Sequence, residues 1–218
     1  MKLKLDIPTS LSEVTLRQYK AYLKIKDDNT KLEILNTRII EIFCKAKLKD
    51  VMLLRLSDSD EIIKIIHNLF DKNPSLVKSF KLNNKEYGFH PELDDLTLGE
   101  YIDLDTYIGD WDNMEKAMNV LYRPILTKLK DRYSIEDYIV ENDAQMLDMP
   151  MDAVLGAIFF LWNLGIDLSK TMMNYLEAED QVDQHLTQYL NSQQNGVGIN
   201  QFTDSLKEIL DDLKISLN

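Results

Sequence analysis

Residues Leu93 to Pro124 read LDDLTLGEYIDLDTYIGDWDNMEKAMNVLYRP, and the spacing of their apolar members decides the fold class. Met114, Ala117, Met118, Leu121 and Ile125 recur at steps of three and four, the period of one helix face. Upstream, Thr97 stands where a helix N-cap accepts from orphan backbone N–H groups, and the spacing predicts a helix over 97–109. Between the two helices Asp110 or Asp112 is placed to cap the second, whose positive N-terminal end favours further acids.

The opening of this stretch has a counterpart near the N-terminus. Leu93, Thr97, Leu98 and Tyr101 repeat the order and spacing of Leu11, Thr15, Leu16 and Tyr19, and each copy follows a proline, Pro91 or Pro8, that closes an apolar segment. Two readings stand together: one helix-entry device used twice, or an old duplication dividing the body into halves 1–82 and 83–190.

Outward from these copies, helical spacing continues. Leu32, Leu35, Ile39, Ile42 and Phe43 form one stripe, and further helices are expected near 12–26, 59–70, 152–178 and 202–216. Phe80 to Phe89 breaks the pattern: two short apolar runs flank Asn83-Asn84, the signature of a hairpin with a two-residue turn. Alternation over Lys2 to Ile7 offers a third strand. The expected fold is therefore mainly α, a helical bundle-like body over 1–190 with a small β-hairpin or three-stranded sheet. Asn191 to Asn200 reads as a flexible linker to a C-terminal amphipathic helix over 201–218. That helix, with Phe202, Leu206, Ile209 and Leu213 on one side, either folds back on its own body or docks on a neighbour.

The net charge of -12 is unevenly spread. Residues 1–55 carry twelve Lys/Arg against seven Asp/Glu, whereas residues 91–218 carry eight against twenty-five. Between Glu86 and Glu115 there are ten acids and no base. Most of such a surface repels a phosphate backbone, so duplex DNA is not an expected ligand, but the basic end of one copy suits the acidic segment of another. Cys44 is the one cysteine, beside Phe43 on an apolar face, so a disulfide framework is excluded and a reducing compartment is expected. The apolar run Ala153 to Trp162 is shorter than the roughly 20 residues of a membrane span, so a soluble chain without a membrane partner is expected. This run, apolar on all sides, is either the centre of the fold or covered by another chain.

Templates for chemistry fail in turn. The chain has no phosphate-binding glycine loop, Gly-x-Ser-x-Gly, His-Glu-x-x-His or paired cysteines, and His67, His90 and His185 lie far apart. Asp103 and Asp105 begin like a calcium loop, but Ile108 occupies the position that needs glycine and Glu115 comes one residue late. No catalytic residue, cofactor or metal is expected. Tyr101, Tyr107, Trp111 and Tyr122 cluster around the acidic run with Arg123 adjacent, which is either core packing or the anchor set of a protein interface.

The stretch from Leu93 to Pro124, with IPTSLSEVTLRQYKAYLKI near the start and MPMDAVLGAIFFLWNLG from Met149 to Gly165, resembles a family of virion structural proteins of tailed phages, the crAss-like short-tailed phages in particular. The most specific segment is TLGEYIDLDTYIGDW. The resemblance implies a ring or connector subunit of the tail or neck below the portal, assembling in the host cytoplasm head-to-tail with itself and with portal or tail proteins. It carries no catalytic residue over. A tail assembly chaperone, absent from the finished particle, is the alternative.

Overall fold

Both copies of the repeated phrase fold in the same way. In the computed structural model, which describes residues 4–26, 32–71, 74–130 and 132–179, a 3-10 turn at Leu11–Glu13 leads through Thr15 into α1 (Leu16–Lys26). A second such turn at Leu93–Asp95 leads through Thr97 into the helix Leu98–Tyr107. At each entry the threonine and the residue three on bond reciprocally. The Thr15 N–H donates to Gln18 Oε1 at 3.0 Å while the Gln18 N–H donates to Thr15 Oγ1 at 3.3 Å. The Thr97 N–H donates to Glu100 Oε2 at 2.7 Å while the Glu100 N–H donates to Thr97 Oγ1 at 3.3 Å. This capping box satisfies N-terminal donors that no intrahelical carbonyl can reach.

After α1 come α2 (Leu32–Phe43), the short α3 (Leu48–Val51) and α4 (Leu56–Phe70), with α2 packed on α1, α3 and α4. Their apolar faces converge on rings. Tyr19 lies 5.5 Å from Phe70 and 4.8 Å from Trp111 between centroids, and Phe43 lies 5.7 Å from Tyr22 and 5.8 Å from Phe70.

The hairpin forms where Asn83-Asn84 predicts it. β1 (Ser79–Leu82) pairs antiparallel with β2 (Lys85–Phe89), and Asn83 and Asn84 take φ of 50° and 64°, left-handed values that asparagine tolerates and a tight hairpin turn requires. The rest of the sheet differs from expectation. Residues 4–9 have no strand, so the third strand proposed for Lys2 to Ile7 is not found in its described part. The sheet continues instead through β3 (Tyr122–Leu129) and β4 (Arg132–Ile135), antiparallel in the order β1-β2-β3-β4.

The helix expected to reach Ile125 is correspondingly shorter. After α5 (Leu98–Tyr107), α6 (Met114–Leu121) stops at Leu121, and Tyr122 is already extended. Pro124 is the physical reason: it disfavours helical backbone at Arg123 and has no N–H to give. Ile125 falls at helical spacing from Leu121 by coincidence and belongs to the strand, paired with Ile135.

α7 (Met151–Glu179) runs through the centre, with Ala153, Val154, Leu155, Ala157 and Ile158 fully buried. Its stretch Met151–Thr171 is long and apolar enough to cross a membrane by length and composition, and 56% of that window is buried within the fold. Of the two readings of this run, burial at the centre is the one observed. The Tyr122 hydroxyl, at 2.8 Å from the Val77 carbonyl and 3.3 Å from that of Ala153, ties β3 to α7. The N-terminal segment joins on the other side, where the Leu16 N–H donates to the Met149 carbonyl and the Met151 N–H to the Val14 carbonyl. Buried residues from Leu11 to Leu161 form one core, shared by both copies of the repeat. The linker and C-terminal helix expected over 191–218 lie outside the described residues.

Gly99, in the first turn of α5, has no atom within 4 Å of where a Cβ would stand. Gly99→Ala is therefore expected to stabilise the fold by about 0.5–1 kcal/mol, since alanine loses less backbone entropy in a helix. A thermal melt with a midpoint below that of the wild type would contradict this.

Candidate functional site

The acidic run between α5 and α6 is engaged in local structure. Asp110 Oδ1 accepts from the Asp112 N–H at 2.8 Å and Oδ2 from Asn113 Nδ2 at 2.6 Å, so Asp110 caps the 3-10 turn Trp111–Asn113 that feeds α6. Neither capping candidate caps α6 itself, whose N-cap position is Asn113 with no side-chain cap; Asp110 caps the 3-10 turn before it, because that turn, which includes Asp112, is inserted between Asp110 and the helix. Asp103 accepts from the Tyr138 hydroxyl at 2.8 Å. Lys20 donates to the Asp112 carbonyl at 2.7 Å and pairs with Glu115, binding the acidic run to α1. Among the described residues no three His, Cys, Asp or Glu side chains are grouped as metal ligands.

The aromatic anchors separate into inner and outer members. Trp111 is half-buried against Tyr19, and Tyr107 is half-buried with Lys116 Nζ 4.8 Å from its ring centroid. Arg123, read from sequence as an interface residue, is turned inward: its guanidinium lies 2.8 Å from Glu100 Oε1, and both side chains are more than nine-tenths buried. The correction has a simple cause, because Arg123 on β3 meets the capping-box carboxylate of α5, a long-range partner that local sequence does not reveal. Tyr101 alone of the four keeps an open face. Phe202, Leu206, Ile209 and Leu213 lie outside the described residues.

Tyr101 belongs to a continuous apolar strip on α5. Leu98, Tyr101 and Ile102, at i, i+3 and i+4, are between 52% and 75% exposed. The corresponding Leu16 and Tyr19 of the first copy are fully buried. The same helix entry thus presents the same side chains twice, and among the described residues only the first pair is covered. Exposed acids surround the strip: Glu92, Asp94 and Asp95 before it, and Asp105 one turn after Tyr101.

A second apolar face, not singled out by the sequence reading, lies at the elbow between α3 and α4. Leu48, Met52, Leu53 and Leu56 all point outward, the last three at 69–75% exposure. The elbow carries exposed Lys45, Lys47, Lys49 and Arg55. Its sequence signal is a run of six apolar residues in the nine positions 48–56, interleaved with bases, of which Leu48, Met52 and Leu56 recur at steps of four.

Clefts beside the N-terminal segment do not assemble chemistry. They are lined by Lys4, Lys45 and Lys47 together with Asp6, Glu13 and Asp50, so neither charge dominates. Cys44 opens on one of them, but burial, aided by the nearby charge of Asp6, pushes its thiol up to about 11. At neutral pH it is a protonated, weak nucleophile. Comparison of the chain with protein-family models, curated proteins and solved structures finds no match.

Proposed function

We propose that this chain is a structural subunit of a tailed-phage virion, a ring or connector component of the tail or neck, that acts by protein–protein assembly. The observation that supports this reading is the gathering of large exposed apolar side chains on two separate faces, α5 and the α3–α4 elbow. Monomeric proteins seldom leave such patches uncovered, and two distinct faces suit a subunit with a neighbour on each side. The family resemblance of Leu93 to Pro124 supplies the setting: the virion below the portal, after assembly in the host cytoplasm, with portal or tail proteins as further neighbours. DNA, if it passes, is repelled by the acidic segment rather than held.

The test is the protein content of purified particles. A fixed whole-number ratio to the portal protein is expected by quantitative mass spectrometry. Abundance in infected-cell lysate with absence from particles would sink the virion role and favour an assembly chaperone.

A further inference from the structure

We propose that the two exposed faces are each other's partners: the acidic α5 strip of one copy docks on the basic α3–α4 elbow of a second copy. This deepens the assembly reading above and rests on it.

Three observations lead to this pairing. First, the two faces are opposite in charge. Residues 45–56 carry Lys45, Lys47, Lys49 and Arg55 against Asp50, whereas residues 92–105 carry six acids and no base. The acids of α4 begin only beyond Leu56, at the edge of the basic rim. Each face alone repels a second copy of itself, so a two-fold contact of α5 on α5 would set Asp94, Asp95 and Asp105 against their own kind. Second, both faces are apolar at the middle and charged around it, the arrangement in which desolvated anchors hold and rim charges steer. Third, the repeated phrase shows what a Leu and Tyr at this spacing do when covered. Leu16 and Tyr19 lie fully buried in the core, while Leu98 and Tyr101, presented by the same capping box, are left uncovered by the described residues.

The contact is heterologous, because the patch used on one copy differs from the patch used on the next. Such contacts propagate, and they close into a ring when the rotation permits.

Heterologous pairing has a signature that a two-fold contact lacks. Tyr101→Lys spoils the α5 strip and spares the elbow; Leu53→Glu spoils the elbow and spares the strip. Both positions are more than half exposed, so both variants are expected to fold, checked by circular dichroism and melting midpoint. By analytical ultracentrifugation, each variant alone is expected to self-associate about 30-fold more weakly than the wild type, the effect of losing one central anchor. Mixed in equal amounts they are expected to form a 1:1 heterodimer and stop there. Zero-length carboxyl–amine cross-linking of a mixture of isotope-labelled and unlabelled wild type should join Lys45, Lys47 or Lys49 of one copy to Asp94, Asp95 or Asp105 of another.

If the wild type self-associates and both variants do so equally well, or if mixing restores nothing, this pairing falls and the assembly reading stands. Cross-links confined to one chain, from the elbow lysines to acids of residues 180–218, would assign the elbow to the chain's own C-terminal segment and overturn the pairing. A wild type that remains monomeric at its highest soluble concentration removes both.

Discussion

Arg123→Met, with Glu100 left in place, is expected to cost about 3–5 kcal/mol of folding stability, read as a shift of the urea midpoint. The reason is the carboxylate that remains. Glu100 is buried beneath α5 with Arg123 at 2.8 Å as its counter-charge. It also accepts the Thr97 N–H at 2.7 Å, so it cannot leave the interior without opening the capping box. Removing the guanidinium strands a charge in a medium that solvates it poorly, whereas removing both charges strands none. The double variant Arg123→Met with Glu100→Gln is therefore expected to recover a large part of the loss, because glutamine keeps an acceptor for Thr97. A double variant as unstable as the sum of two costly singles would show that the side chains act independently and that the pair is not the cause.

The same cluster contributes to the acid limb of stability. Burial alone would raise the Glu100 carboxyl, but the Thr97 N–H and hydroxyl, with the Arg123 charge, outweigh it and hold it below the ordinary value of 4.5. Its contribution is thus present above about pH 4.5 and fades as pH falls through the lower folded-state value. His90, whose backbone N–H donates to the Leu121 carbonyl, is shifted down from 6.5 by burial and by the Arg123 charge, with Glu100 opposing. The fold favours its neutral form, so stability is full above about 6.5 and declines below it. The unfolding free energy should begin to fall near pH 6.5 and fall more steeply below 4.5.

How much of this was legible in sequence varies with the range of the interaction that decides it. The hairpin was readable because Asn83 and Asn84 fix their own backbone, and the entries to α1 and α5 because a capping box is complete within four residues. The end of α6 was misread because Ile125 continues the apolar spacing, although Pro124 carried the opposite signal. Lys2 to Ile7 alternates like a strand, but alternation in one segment does not create a neighbouring edge to pair with; Leu5 and Ile7 pack on the core without one. Arg123 beside aromatics resembles an interface anchor until Glu100, on α5, is brought to it by the fold. At the elbow Leu48, Met52 and Leu56 do recur at the helical step of four, but spacing alone does not say whether a face turns inward, and here it turns outward.

Gly156→Ala, by contrast with the same change at Gly99, is expected to destabilise, by about 1–3 kcal/mol, the usual cost of forcing an extra methyl into a filled interior. Helix propensity argues the other way at both positions, by up to about 1 kcal/mol. Space decides the sign. A Cβ on Gly156 would lie 2.5 Å from the Ser75 carbonyl oxygen, 3.2 Å from its carbonyl carbon and 3.3 Å from Leu76 Cα. These are backbone atoms and cannot swing aside as a side chain would. The segment they belong to is held at its far end, where the Val77 carbonyl accepts from Tyr122 and β1 begins at Ser79. Relief therefore requires lifting the chain before β1 away from α7, which weakens the join between sheet and central helix. For a chain of this size each kcal/mol corresponds to roughly 2–4 °C of melting temperature, so Gly156→Ala should melt several degrees below the wild type and Gly156→Val lower still. An alanine variant as stable as the wild type would mean that residues 74–78 are not pressed against α7 and that the close approach at Gly156 does no work in joining the sheet to the helix.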